Sequence, residues 1–353
     1  MVKLLHIIDS FGVGGAETLL VTVIKNLDSN IYQQHLILLN KPDALVSKLP
    51  DSCKLTILDF KSYKDLFRII KEVKTYIKTH DIDIVHSQLF WSNIISRLAT
   101  KKQKRLFNSI QAISSEASYK INRMTLYMEK LTYKKHHHIV GVSEEVLKDF
   151  DKWVGLKGPS TLLYNVIDDA FFASSPKKNF SEKGLKLVAV GNLRWQKNYP
   201  FLLEAFKKMP EGVRLDIYGE GELRGEIQKI IDENNLNVRL CGIKRNMHEI
   251  LPMYDIFVMC SLYEGFSLSL MEAMASSLPV LLSDIPVLRE AAANNAIYFN
   301  LSNTDDIVSK ISEILNSKYR LAEWSEKTWK RAAFIGKKEQ FFEKLMGLYE
   351  YQD

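Results

Sequence analysis

Short apolar runs, each too brief to make a helix, alternate with longer amphipathic stretches, and midway along the chain the alternation begins again. In the first half the segments 3–8, 34–39, 84–86, 105–109 and 139–142 read as strands, with helix-like stretches at 17–27 and 63–79. In the second half 185–190, 213–218, 238–241, 256–260 and 279–282 read as strands, and 199–208, 225–234 and 268–275 as helices. A strand, a helical crossover and another strand make a parallel pair, so the predicted fold class is α/β with two Rossmann-like parallel sheets. A length of 353 residues fits this reading, being more than one hydrophobic core usually serves. The stretch 168–184, rich in Ser, Lys, Asp and Asn and carrying Pro176, reads as a linker between the halves. In open parallel sheets ligands bind beyond the carboxyl ends of the strands, so the informative residues are expected on the loops that follow them.

The net charge of +6 is unevenly distributed. Residues 1–165 hold 24 Lys and Arg against 16 Asp and Glu, whereas residues 166–353 hold 24 against 26. The basic excess therefore belongs to the first half, with clusters at 101–105 and 134–138. Such a half suits an anionic acceptor or an anionic membrane surface, and peripheral membrane contact through it is an expectation. No recognised nucleic-acid motif is present, so nucleic acid is not an expected partner. No apolar stretch reaches the roughly 18–20 residues a spanning helix needs. Lys3 is followed by a short apolar run that meets Asp9 with no cleavage-type site after it, unlike a secretory leader. Cys53, Cys241 and Cys260 contain no Cys-x-x-Cys pair and read as reduced core thiols of a cytoplasmic protein.

Three segments carry the chemistry. The loop after the first strand, residues 9–17, contains Gly12, Gly14 and Gly15, small enough for close approach of a phosphate or sugar to a helix start. It lacks the third glycine of a dinucleotide fingerprint, the second strand ends in Leu39-Asn40 without an acid, and no P-loop occurs in the chain. The segment 190–198 places Arg194 and Lys197 after a strand, where two cations could neutralise a departing diphosphate. The segment 261–275 sets Glu264 in a glycine-containing loop and Glu272 inside the helix that follows. Carboxylates so placed accept hydrogen bonds from sugar and ribose hydroxyls, and the N–H groups of Phe266, Ser267 and Leu268 at the helix start can hold a phosphate.

These segments resemble the bacterial family-four glycosyltransferases of the GT-B fold (glycosyl transferases group 1). The resemblance extends in order through the glycine-rich loop 12–17, Asp83-Ile84-Val85-His86-Ser87, Val142-Ser143, Tyr164-Asn165-Val166-Ile167-Asp168, Gln196-Lys197-Asn198, Gly219-Glu220-Gly221 and the Glu264…Glu272 block. It implies two sheets facing across a cleft and a C-terminal helix that crosses back to the first domain. The expected domains are 1–167 with about 335–353, on the acceptor side, and 168–334, binding a nucleotide sugar. The implied reaction is metal-independent, cofactor-free transfer of a sugar, with retention of anomeric configuration, from a nucleotide sugar, expected to be a UDP-sugar, to a glycan or lipid-linked glycan of a cell-surface polysaccharide. Arg194 and Lys197 would bind the diphosphate, Glu264 and Gly265 the sugar, Phe266, Ser267 and Leu268 would supply backbone donors, Glu272 would hold the ribose and Ile243 would touch the base. Gly14 and Gly15 would close over the phosphate, with His86 and Gln111 on the acceptor side.

The chain departs from the family pattern in three places. Asn192 stands where many relatives have Arg, and Gln111 and Gln88 stand where relatives often have His. Glutamine can hydrogen-bond a hydroxyl but cannot exchange a proton at neutral pH. Two alternatives therefore stand beside the transferase reading: a catalytically inactive nucleotide-sugar-binding relative and a GT-B epimerase. Asp81 and Asp83 resemble a metal-binding Asp-x-Asp but precede a strand, at the wrong end of the sheet. His136, His137 and His138 are consecutive and cannot easily converge on one ion, so no metal is expected.

Overall fold

Alternate residues of the first strands serve two different cores. In β1 (Val2–Ile8), Leu5 and Ile7 pack to one side with Ile37, while Ile8 packs to the other with Leu36 and Leu38 of β2 (Tyr32–Leu38). A strand buried on both faces has an almost unbroken apolar run, which is why these segments are visible in the sequence. The computed structural model describes residues 1–12, 14–120, 122–173, 176, 179–180, 184–316 and 319–350. Val13 of the glycine-rich loop, much of the expected linker 168–184 and the last three residues of the expected helix 335–353 lie outside the described residues.

The chain divides into two compact units, Met1–Asn165 with the segment from Phe341 onward, and Val166–Gln340. In the first, β1 is followed by α1 (Gly15–Asn26), β2, β3 (Lys54–Ile57), α2 (Leu66–Thr79), β4 (Ile84–Gln88), α3 (Phe90–Ala99) and β5 (Arg105–Ile110). Then come α4 (Arg123–Thr132), β6 (His138–Gly141), α5 (Glu144–Trp153) and β7 (Ser160–Leu162). All seven strands are parallel, in the order β3-β2-β1-β4-β5-β6-β7. Helix α2 shows why its sequence is helical: Ile69, Val73 and Ile77 recur at a spacing of four and are buried, with charged residues between them.

The second unit contains β8 (Leu185–Val190), α6 (Tyr199–Phe206), β9 (Val213–Tyr218), α7 (Arg224–Glu233), β10 (Val238–Gly242) and a single turn, α8 (Met247–Ile250). It continues with β11 (Ile256–Met259), α9 (Leu268–Ala275), β12 (Val280–Ser283), α10 (Pro286–Ala292), β13 (Ile297–Phe299), α11 (Thr304–Asn316) and α12 (Tyr319–Gly336). Its six strands are parallel, in the order β10-β9-β8-β11-β12-β13. Leu185, Leu187 and Ala189 of β8 face a core shared with α6, α7 and α11.

The strands absent from the sequence reading are β3, β7 and β13. All three are edge strands, three or four residues long and only partly buried. The expected C-terminal helix of about 335–353 is observed as α13 (Lys338–Glu350), which follows α12 after an interruption at Lys337. Helix α12 packs on α9, where the Ser325 hydroxyl donates to the Ser277 carbonyl at 2.6 Å. In the first unit Tyr349 of α13 is buried, and its hydroxyl lies 2.5 Å from His86 Nδ1. The Arg105 guanidinium donates to the carbonyls of Leu348, at 2.7 Å, and Tyr349, satisfying acceptors at the end of α13.

Candidate active site

Each sheet reverses its strand order once, between β1 and β4 in the first unit and between β8 and β11 in the second. Loops leaving the carboxyl ends of two such strands diverge to opposite sides and leave a crevice, the usual ligand position in open α/β sheets. In the second unit these are the loop with Arg194 and Lys197, after β8, and the loop with Glu264, after β11.

The two loops are joined by several contacts. Lys197 Nζ lies 2.6 Å from Glu264 Oε1, and both side chains are largely withdrawn from solvent, at 15% and 8% exposure. The same carboxylate oxygen accepts from the Ser261 hydroxyl at 2.7 Å. Gln196 Nε2 donates to the Tyr263 carbonyl at 2.8 Å, and the Leu262 N–H to the Gln196 carbonyl at 2.9 Å. The Cys260 thiol, pushed up to about 12 by burial, lies 3.1 Å from the Lys197 carbonyl. All three cysteines are free.

Two glycines make this arrangement possible. A Cβ on Gly191 would stand 2.9 Å from Lys197 Cε, so the absence of a side chain lets the lysine stem cross the loop. Gly219, after β9, has φ of +144°, and a Cβ there would lie 2.0 Å from the Gly191 carbonyl oxygen. The Gly219-Glu220-Gly221 segment thus lies flush against the cation-bearing loop, with the Leu193 N–H donating to the Glu220 carbonyl at 3.0 Å. Arg194 is exposed, and its guanidinium has no ion-pair partner among the described residues; Asn192 is exposed too. Lys197 is therefore held and Arg194 is available.

Beyond Glu264, the loop passes through Gly265 and the buried Phe266 to Ser267, whose hydroxyl caps α9 by accepting from the Leu270 N–H at 3.4 Å. Leu268 begins the helix. Glu272 lies in its second turn, half-buried, its carboxylate without a hydrogen-bond partner among the described residues. Burial, with a smaller contribution from the charge of Asp168, pushes that carboxyl up to about 8. Ile243, beyond β10, is 59% exposed.

In the first unit, Asp9 closes the switch point. Its carboxylate accepts from the Ser92 N–H and hydroxyl, each at 2.7 Å, and from the Trp91 N–H at 3.3 Å, tying the loop after β1 to the first turn of α3. Gly14 caps α1 and Gly15 begins it. A Cβ on Gly14 would stand 2.4 Å from Glu17 Oε2, so the Glu17 carboxylate folds back over the helix start. Burial raises this carboxyl above its ordinary value.

His86 is buried with both ring nitrogens engaged, Nδ1 by Tyr349 and Nε2 by the Ser109 hydroxyl at 2.7 Å. Burial, with the neighbouring His6 and His138, lowers it to about 3, so it is neutral at physiological pH. The two glutamines that depart from the family pattern are neighbours: Gln111 Nε2 donates to Gln88 Oε1 at 3.4 Å. Both line a small cavity with His6, His86, Ser109 and Asn165, closed in part by Phe341 and Leu345 of α13. His137 is buried and His138 opens β6, its Nε2 2.8 Å from Thr161 Oγ1, so these rings serve separate structural contacts. Asp81 and Asp83 lie before β4 and face Lys104.

Residue type gives no reason to single out Ser261, Gln196 or Asp9. Ser261 and Gln196 stand inside the segments already recognised, but Gln196 meets Tyr263, 67 residues away, and Ser261 donates to a Glu264 carboxylate whose partner Lys197 is equally distant in the chain.

Residues 13–171 match the family model described as Glycosyltransferase Family 4, and residues 171–331 the one described as Glycosyl transferases group 1. Over 303 residues the chain is 27% identical to the N-acetylgalactosamine-N,N'-diacetylbacillosaminyl-diphospho-undecaprenol 4-alpha-N-acetylgalactosaminyltransferase of Campylobacter jejuni, covering 80% of this chain and 81% of that protein. Among solved structures, Anabaena HepE in complex with UDP and glucose superposes with a TM-score of 0.84 over all of both chains at 16% identity. Sucrose-phosphate synthase from Thermosynechococcus elongatus gives 0.84 over 99% of this chain and 98% of that one, at 15% identity. At such identities these two similarities concern the fold, which is GT-B.

Proposed function

Because the chain belongs to the group 1, family-four glycosyltransferases and is a sugar-transferring enzyme, we propose that it moves a sugar from a nucleotide-sugar donor, a UDP-sugar, to a glycan or lipid-linked glycan acceptor. The observation that carries this reading is the joining of the two switch-point loops through Lys197 and Glu264. A cation and a sugar-hydroxyl acceptor within one hydrogen bond of each other match the two ends of the bond to be broken, diphosphate on one side and hexose on the other. The lipid-linked class of acceptor is supported by the undecaprenol named in the Campylobacter relative. The basic excess of residues 1–165 supports work at the inner, cytoplasmic face of a membrane. Among the described residues no helix is long and apolar enough to cross one.

In this reading the bond between the anomeric carbon and the diphosphate oxygen breaks, and the acceptor hydroxyl forms the new bond on the same face of the sugar. The acceptor proton passes to the departing diphosphate oxygen, so configuration is retained without a protein base. That fits a first unit in which Gln88 and Gln111 face each other and His86 is neutral and enclosed. Arg194 and Lys197 neutralise the diphosphate, Glu264 with Gly265 orients the sugar, and the backbone of Phe266, Ser267 and Leu268 meets phosphate at the start of α9. Glu272 accepts from the ribose hydroxyls, Ile243 covers the base, Gly14 and Gly15 admit the donor phosphate, and Gln111 faces the acceptor.

A thermal-shift screen of nucleotide sugars on the wild-type protein and on Glu272→Ala tests the donor half of this reading. A ligand that binds only the folded state raises the unfolding temperature by mass action. The expected result is stabilisation of the wild type by a UDP-sugar and a much smaller shift in the variant. Stabilisation of both proteins to the same extent would remove Glu272 from the donor site.

A further inference from the structure

The outward face of α4 carries three large apolar side chains that are left exposed among the described residues. Met124, Tyr127 and Leu131 are 60%, 58% and 53% exposed, and their spacing puts them on one side of the helix. Exposed Arg123 and Lys130 flank them on the same helix, and Lys134 and Lys135 follow it. Strands β5 and β6 pair in parallel with Phe107 beside His138, so the turn at 101–104 that enters β5 and the turn at 134–137 between α4 and β6 lie at the same end of the sheet. Two basic clusters separated in the sequence thus form one surface.

Residues 101–138 contain only two acids, Glu116 and Glu129, and neither is free to neutralise this surface. Glu116 pairs with Lys120, while Glu129 is buried in an ion pair with Arg97 of α3. Arg97 also donates through Nε to Asn108 Oδ1 at 2.8 Å and lies over the Tyr133 ring. The inner side of α4 is therefore fixed to the sheet, and its outer side is presented rigidly. Lys101, Lys102, Arg123, Lys130, Lys134 and Lys135 have no ion-pair partner among the described residues.

We propose that the outer face of α4, with the lysines at 101–102 and 134–135, is a docking surface for an anionic lipid bilayer. Tyr127, Met124 and Leu131 enter the headgroup boundary while the cations reach lipid phosphates. The charge excludes a second copy of this chain as the natural occupant, because it would bring like charge against like. The inference deepens the reading of a lipid-linked acceptor: α4 belongs to the crossover leaving β5, just beyond which stands Gln111. Its failure leaves the transfer reaction untouched, since vesicle binding is measured without donor or acceptor.

The test is flotation of the full chain with vesicles of phosphatidylcholine alone and with vesicles also containing phosphatidylglycerol. The expected result is binding to the anionic vesicles only, weakened by salt as the screening length falls from about 8 Å at physiological ionic strength to about 3 Å near 1 M. Replacing Arg123→Gln and Lys130→Gln together weakens binding by about fivefold per cation removed. Tyr127→Ser with Leu131→Ser weakens it by at least about tenfold. Lys229→Gln on α7, of the second unit, leaves it unchanged, and unfolding temperatures confirm that all variants fold. Undiminished binding by the α4 variants, equal flotation with neutral vesicles, or dimerisation in the absence of lipid that the α4 substitutions abolish would each overturn the proposal.

Discussion

Lys197 Nζ and Glu264 Oε1 are 2.6 Å apart although their loops follow two different strands, and the Ser261 hydroxyl donates to the same oxygen. The pair keeps two partly desolvated charges compensated.

If these cations stabilise the departing diphosphate, Lys197→Met and Arg194→Met each lower turnover by about 10²–10³-fold, whereas Gln111→Ala lowers it by less than about tenfold. Steady-state kinetics with a fixed donor and acceptor distinguish the two groups. Equal, small effects at all three positions would contradict charge stabilisation by this loop.

Ser261 is expected to act through Glu264. In Ser261→Ala the carboxylate keeps Lys197 but loses its second anchor, a contribution of about 1 kcal/mol, or roughly a fivefold fall in kcat/KM. The unfolding temperature should change little, because the removed hydroxyl makes no other side-chain hydrogen bond among the described residues. A large loss of stability with unaltered kinetics in the surviving enzyme would make Ser261 a structural residue only.

Glu272 gives the stability a pH dependence of known sign. Its carboxyl moves from 4.5 to about 8 on folding, so between those values the folded state holds more proton than the unfolded one. Stability from this group is present below the lower value and is lost as pH rises through the upper one. Glu272→Gln should therefore flatten the decline in unfolding temperature between about pH 5 and 8. An unchanged pH profile would show that Glu272 is ionised throughout.

Tyr349→Phe removes the hydroxyl that meets His86 Nδ1 in a buried setting. Leaving that nitrogen unsatisfied should cost about 1–3 kcal/mol in chemical unfolding. Arg105→Met should act on the same contact by releasing the carbonyls at the end of α13. Variants as stable as wild type would mean that the last turn of α13 contributes little to the first unit.

How much could be read in advance depended on burial. Central strands such as β8 and β9 fill both faces of a sheet and leave dense apolar runs, whereas β3, β7 and β13 are short edge strands that are only partly buried. Helix α9 was legible from its apolar period and from Ser267 before it. The residue types of the site were legible as well, since Arg194, Lys197, Glu264 and Glu272 stand on or just beyond loops that follow recognisable strands.

Partnership was not legible, because hydrogen bonds between distant loops leave no period in a sequence. That Gln88 and Gln111 face each other follows only from the pairing of β4 with β5. That His86 is enclosed follows from a tyrosine 263 residues away. The sequence by itself determined the alternating elements, the two sheets, the basic first half and the charged residues placed after strands, all of which express local periodicity and composition. Only the tertiary structure decided that Lys197 meets Glu264, that Arg194 stays exposed, that Glu272 is desolvated and that α4 leaves its apolar face uncovered, because each of these depends on what the fold brings alongside.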